Sequence, residues 1–262
     1  MGTGSSRLLR MVPASLLMVL AAGCAKRTGD VAPTAEEVPS AAIREQLSGT
    51  WVMTDESTYS AWVACCEGPD TDVPFTPEFR KIRDAFATIP SFPAKDKPTL
   101  NNLANCVTAG VPGTIEHPLM FEFLLTPGRA NVIFMDGSFR RIWTDGRGFP
   151  ETFIYDYQGY TIGRWEGNTL IAETQGISPR ADMFIDGGIK TTKQTKVTER
   201  ITVESEKSLR MTITVEDPTV FAQPYTYKRD FIKVPLSFEV GCAAENRDTG
   251  SEVDLTPPAD DE

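Results

Sequence analysis

Tyr160-Thr161-Ile162-Gly163-Arg164-Trp165, followed by Gly167-Asn168 and then by Thr169-Leu170-Ile171-Ala172-Glu173, reads as two short strands folded back on a tight turn. β-Branched and aromatic residues recur with period two on either side of a two-residue turn signal. The same grammar extends outward in both directions. Upstream, Asn131 to Met135 and Ser138 to Trp143 flank Asp136-Gly137, and Met120 to Leu125 closes on Thr126-Pro127-Gly128. Downstream, Thr192 to Val203 and Ser208 to Val215 form a third hairpin. Phe221 to Ile232 and Leu236 to Val240 complete the series, and Leu47 to Met53 opens it. Eight or nine short strands with no alternating long helices exclude a doubly wound fold. The expectation is all-β, an antiparallel up-and-down barrel, because closure removes exposed strand edges. A β-sandwich is the alternative that periodicity alone leaves open. One short helix precedes the main strands: Thr76 is its N-cap, Pro77 its first residue, Glu78 lies in its first turn, and it ends before Pro90. Phe79, Ile82 and Phe86 give it one apolar face.

The chain has 262 residues, a formal net charge of -10 and 40% hydrophobic residues. That is enough apolar content for a sizeable core. An acidic balance leaves no basic excess to neutralise phosphates, which argues against nucleic acid as a partner. A single histidine weakens any multi-histidine metal centre, and no phosphate loop, dinucleotide fingerprint or zinc-protease helix is present, so no cofactor or metal is expected. Arg7 and Arg10 precede an apolar run from Met11 to Ala22, which is too short to span a bilayer stably. Leu20-Ala21-Ala22-Gly23-Cys24 resembles the bacterial lipoprotein cleavage box. The resemblance implies removal of residues 1–23 and a lipid on Cys24, with Ala25 after it implying an outer-membrane anchor facing the periplasm. Residues 24–44 then read as lipidated cysteine and tether, 45–246 as a single barrel domain, and 247–262 as a disordered acidic tail.

Cys65, Cys66, Cys106 and Cys242 remain beyond the lipidated cysteine, and an even number in an exported chain suggests disulfides. Two long-range bridges can each use one member of the adjacent Cys65-Cys66 pair. A Cys106 to Cys242 bridge with the adjacent pair left over stands beside that arrangement.

The central stretch from Gly159 to Thr174, with Phe75-Thr76-Pro77-Glu78-Phe79, Arg140-Arg141-Ile142-Trp143-Thr144-Asp145-Gly146-Arg147, Val197-Thr198-Glu199-Arg200 and Cys242 before Glu245-Asn246, resembles a family of uncharacterised exported bacterial proteins. The resemblance covers roughly residues 75–246 and implies no activity. That family places histidine after its Asp-Gly-Arg turn, where this chain has Gly148-Phe149-Pro150. Gly49-Thr50-Trp51 at the start of the barrel resembles the opening of lipocalin-like proteins, which makes the barrel lipocalin-like in expectation.

Arg140, Arg141, Asp145, Arg147, Arg164 and Glu166 gather on two neighbouring strands and their turns. Alternation puts Arg140 and Ile142 on one face and Arg141 and Trp143 on the other. An inward arginine forks onto a carboxylate ligand, or pairs with Asp145 or Glu166. Arg140, Arg141, Arg147, Arg164, Tyr160 and Trp143 are therefore the candidate ligand-binding residues. Asp145, Glu166 and His117 are the candidate acid–base groups. The expected function is a lipid-anchored envelope protein that binds a small, partly apolar ligand in a barrel cavity. An acid–base enzyme (isomerase, hydratase or cyclase) on the same barrel and a non-catalytic envelope-assembly lipoprotein are the alternatives. Protein partners are not legible.

Overall fold

In the computed structural model the described residues are 1–2, 39–56, 73–86, 102, 107–116, 120–183 and 189–236. The leader, Cys24, the four other cysteines, His117 and the acidic tail lie outside them. Nine strands close into a barrel in sequence order: β1 (Gly49–Met53), β2 (Phe121–Thr126), β3 (Arg129–Phe134), β4 (Phe139–Trp143), β5 (Tyr160–Glu166), β6 (Thr169–Gln175), β7 (Lys196–Ser205), β8 (Ser208–Glu216) and β9 (Tyr225–Val234). The β9–β1 seam is antiparallel, with Thr50 facing Val234 and Met53 facing Phe231. A closed barrel of this kind is consistent with the lipocalin-like expectation, and the sandwich is excluded.

The Asp136-Gly137 and Gly167-Asn168 turns fold β3 onto β4 and β5 onto β6, as their sequences require. Gly137 sits at φ 86°, a conformation that side chains with a Cβ rarely adopt. β4 and β5 depart from up-and-down order: they run parallel, with Ile142 facing Thr161. A parallel neighbour needs a crossover of a dozen or more residues, and residues 144–159 supply it. At that junction Gly163 has a packing reason to lack a side chain. A Cβ there would come within 2.6 Å of the Ile142 Cγ2 and 3.2 Å of the Ile171 carbonyl oxygen.

Short helices flank the barrel, among them α1 (Ala41–Leu47), α2 (Pro77–Phe86) and α3 (Gly113–Glu116). The expected helix at Pro77 forms, and the Phe79 N–H donates to the Thr76 hydroxyl at 3.2 Å. α1 has no counterpart in the sequence reading. It begins where the Ile43 N–H donates to the Ser40 hydroxyl, and it packs Leu47 at one barrel end. There the Trp51 indole N–H donates to the Leu47 carbonyl at 2.9 Å, and the Lys233 ammonium donates to the Gln46 carbonyl at 2.6 Å. α3 lies at the opposite end, which it shares with the starts of β2, β5, β7 and β9.

Period-two alternation fills the interior. Trp51, Phe123, Ile142, Leu170, Ile201, Leu209, Ile213 and Phe231 are all fully buried. Burying side chains of this size stabilises by about 1.5–3 kcal/mol each before conformational entropy is set against it. Phe121 packs edge-on against Phe123 and Phe231, tying β2 to β9 across the seam strand. Polar groups interrupt this apolar filling in the half of the barrel nearer α3.

Candidate functional site

Arg140, on β4, is 2% exposed and points inward with Ile142, as alternation requires. Its partner is neither Asp145 nor Glu166 but Glu199 of β7, which is 1% exposed. The fork is complete. Nη1 donates to Glu199 Oε1 at 3.0 Å, Nη2 donates to Oε2, Nε donates to the Thr161 hydroxyl at 3.2 Å, and Nη2 also reaches the Thr174 hydroxyl at 2.7 Å. Every strand from β4 to β7 contributes one member. A desolvated arginine with its donors answered by protein has little left to offer a ligand.

The barrel wall divides the remaining sequence candidates. Arg141 is exposed and lies over the Phe139 ring at 4.8 Å. Trp143, Asp145, Arg147 and Tyr160 come together outside the barrel. The Arg147 guanidinium sits 3.8 Å over the Trp143 ring and forks onto Asp145, which holds the Asp145 carboxyl below its usual range. Asp145 also raises Arg147, with the Tyr160 hydroxyl adding to it. Arg164 and Glu166 lie on the outer face in a ladder with Glu173 and Arg200: Arg164 contacts Glu166 at 3.3 Å and Arg200 contacts Glu166 at 3.2 Å. These pairs are about half exposed, where ion pairs are worth little. Arg140 is the member of that sequence cluster that faces the interior.

A second buried pair sits at the α3 end, and sequence reasoning missed it. Glu116, the last residue of α3, is 1% exposed. Arg229 of β9 is 2% exposed, and both its Nε (3.0 Å) and its Nη2 (2.6 Å) donate to the same Glu116 oxygen, Oε2. The guanidinium also lies 4.6 Å over the Tyr227 ring. Unlike the Arg140 pair, this one is incomplete. Glu116 Oε1 and the Tyr227 hydroxyl are buried beside one another, where the phenol helps to stabilise the carboxylate, and neither has a hydrogen-bond partner beyond that contact among the described residues. Burial raises the Glu116 carboxyl above its usual range against the opposing pull of Arg229. It also pushes the Tyr227 phenol well above its ordinary value, with the Glu116 charge adding to the rise. Leaving a buried acceptor short of partners costs up to about 1–3 kcal/mol, so a fold that retains one invites a functional explanation.

An aromatic row leads from the surface helix α2 to this pair. Phe79 meets Phe75 at 5.7 Å, Phe75 stacks on Phe221 at 5.7 Å, Phe221 stacks on Tyr225 at 5.6 Å, and Tyr225 meets Tyr227 at 5.2 Å. Phe79, Phe75 and Phe221 are buried and Tyr225 is half-buried, and the row ends at the Tyr227 ring beside Glu116. Among the described residues no group of three or more His, Cys, Asp or Glu is placed to hold a metal.

No family model, no curated protein and no solved structure matches this chain.

Asp182 is a third buried carboxylate at the same end of the barrel. It accepts from the Lys190 ammonium and, at 3.2 Å, from the Asn102 N–H. Burial outweighs both contacts and pushes its carboxyl up to about 6. A carboxyl raised in the folded state stabilises the fold below its unfolded pKa and loses that contribution as pH rises through the folded value. Relative to Asp182→Asn, the wild-type chain should therefore lose about 2–3 kcal/mol of unfolding free energy between roughly pH 4 and pH 7. Urea titrations of both chains across that window measure the difference. A gap that does not change with pH contradicts the assignment.

Proposed function

We propose that this chain is an envelope lipoprotein whose barrel holds a small, partly apolar ligand at the α3 end, with Glu116, Tyr227 and Arg229 as its polar anchor. The observation that carries the reading is the buried Glu116 Oε1 and Tyr227 hydroxyl, which have no hydrogen-bond partner beyond their contact with each other among the described residues. An acceptor and a hydroxyl side by side suit a guest group that both donates and accepts, such as a hydroxyl or an amide. The Phe75, Phe221 and Tyr225 rings supply the apolar contact for the rest of it. The lipobox resemblance at Cys24 supports export, lipidation and an outer-membrane anchor facing the periplasm. The resemblance to exported bacterial proteins between residues 75 and 246 agrees with that placement.

Native mass spectrometry of the chain, produced in a Gram-negative host and extracted from its membranes in mild detergent, tests this. The expected species begins at Cys24, carries acyl chains and retains a small molecule that the Glu116→Gln/Tyr227→Phe double variant releases. A wild-type chain that retains nothing, or a double variant that retains the same molecule, removes the ligand reading.

One observation favours acid–base catalysis as a second reading. Glu116 is a carboxyl raised by burial beside a phenol, an arrangement in which a proton can pass between protein and guest. Asp145, held low by Arg147 outside the barrel, is less suited to that role.

A further inference from the structure

A concave cleft lies at the end of the barrel opposite α3, between α1 and the β2–β3 turn. It encloses about 160 Å³ and is lined by Pro39 and Arg44 from the α1 segment, by Leu125 to Ala130 from the hairpin, and by Thr144 and Trp165 from the ends of β4 and β5. Local sequence explains its shape. Thr126-Pro127-Gly128-Arg129 makes the turn, with Gly128 at φ 73°, and the Thr144 N–H donates to the Gly128 carbonyl at 2.9 Å, so that the turn forms one wall. α1, held by its Lys233 and Trp51 contacts, forms the facing wall.

The lining combines two chemistries. Leu125, Pro127, Ala130 and Trp165 give it an apolar floor and side. Arg44 and Arg129 are its charged residues, and no carboxylate lines it among the described residues. That is unusual placement in a chain with net charge -10. Arg129 donates from Nε to the Thr126 hydroxyl at 3.2 Å and lies 5.9 Å over the Trp143 ring, leaving its Nη groups without a carboxylate among the described residues. Arg44 is exposed on the last turn of α1 and has no carboxylate partner among them either. Elsewhere on the same barrel surface Arg147, Arg164, Arg200 and Arg210 each face a carboxylate. Two unopposed guanidiniums beside an apolar wall are a recognition pattern for an oxyanion attached to hydrocarbon.

We infer that this cleft binds the anionic head of an amphiphile, a carboxylate or phosphate, between Arg44 and Arg129, with the first part of its apolar chain against Leu125, Pro127 and Trp165. The volume sets the limit. It is below the roughly 300–1,000 Å³ of a site that encloses a whole drug-sized ligand, so the cleft takes a head and a short length of chain, and the remainder extends outward. The inference is independent of the Glu116 site, which lies at the other end of the barrel.

The test is calorimetric titration of sodium decanoate into the full chain held in phosphatidylcholine nanodiscs, with empty nanodiscs as the blank and inorganic phosphate as the headgroup-only probe. Wild type should bind decanoate saturably and phosphate more weakly. Losing one charge-assisted contact should weaken decanoate by about tenfold or more in Arg44→Glu and separately in Arg129→Gln. Arg44 is exposed and its reversal should leave the unfolding midpoint unchanged, and Arg210→Gln, on the outer wall away from both sites, should leave decanoate affinity unchanged. Replacing part of the phosphatidylcholine by phosphatidylglycerol separates the sources. Competition with decanoate identifies a membrane lipid as occupant, and undiminished decanoate binding identifies a free amphiphile. Both results support the cleft. Absence of saturable binding, or wild-type affinity in Arg44→Glu, overturns it.

Discussion

Glu199→Ala should destabilise the barrel by about 3–5 kcal/mol, because it leaves the Arg140 guanidinium charged and unpaired in the interior. Arg140 is always protonated at accessible pH, so it cannot escape by losing its charge. The Thr161 and Thr174 hydroxyls accept from it, but they are neutral and cannot balance a cation. Moving the arginine to solvent would pull β4 away from β5, where Ile142 already packs against the space above Gly163. The effect should appear as a lower urea midpoint with an unchanged slope, since the folded surface is not enlarged. The double variant Arg140→Met/Glu199→Leu supplies the control. Removing both charges removes the desolvation cost together with the attraction, and the double variant should recover most of the loss. If Glu199→Ala costs no more than an exposed substitution, the guanidinium is not desolvated in solution and the buried-fork description is wrong.

This pair also marks how far the sequence could be read. The inward direction of Arg140 follows from alternation with Ile142, which is local. Its partner does not, because Glu199 is 59 residues away and reaches the same inner face only after three intervening strand pairings. The Asp136-Gly137 and Gly167-Asn168 hairpins were legible because two residues determine each turn. The parallel β4–β5 contact was not, since a turn at Thr144 to Arg147 says where a strand ends and nothing about which neighbour the chain finds next. Alternation along β9 exposes Lys228 and buries Arg229. Nothing near Glu116 signals burial. It follows Thr114-Ile115 in a one-turn helix, and only the closed barrel brings it over β9. The candidate site therefore moved from a charged cluster dense in sequence, most of which lies outside the barrel, to a sparse triad assembled by topology.

Arg229→Met should cost a comparable amount near pH 7, about 3–5 kcal/mol, and the cost should depend on pH. Here the group left behind is a carboxyl, which can take up a proton. Burial already raises Glu116 and the Arg229 charge pulls it back, so deleting the arginine moves the folded-state value further up. A carboxyl raised in the folded state contributes its stability in full below the unfolded value and loses it as pH rises through the folded one. The Arg229→Met deficit should therefore be largest at neutral and alkaline pH and should shrink on acidification. Adding Glu116→Gln should flatten the profile and restore much of the neutral-pH stability, because a neutral amide needs no counter-charge. Unfolding midpoints for the single and double variants between pH 5 and pH 8 distinguish the outcomes. A deficit that stays level across that range would mean that Glu116 keeps its charge by other contacts, and Arg229 would then not be its counterion. A double variant at least as stable as wild type would mean that the charged pair is not there to hold the barrel together. A buried charged pair kept at a cost to stability would then be best explained by a molecule that it binds.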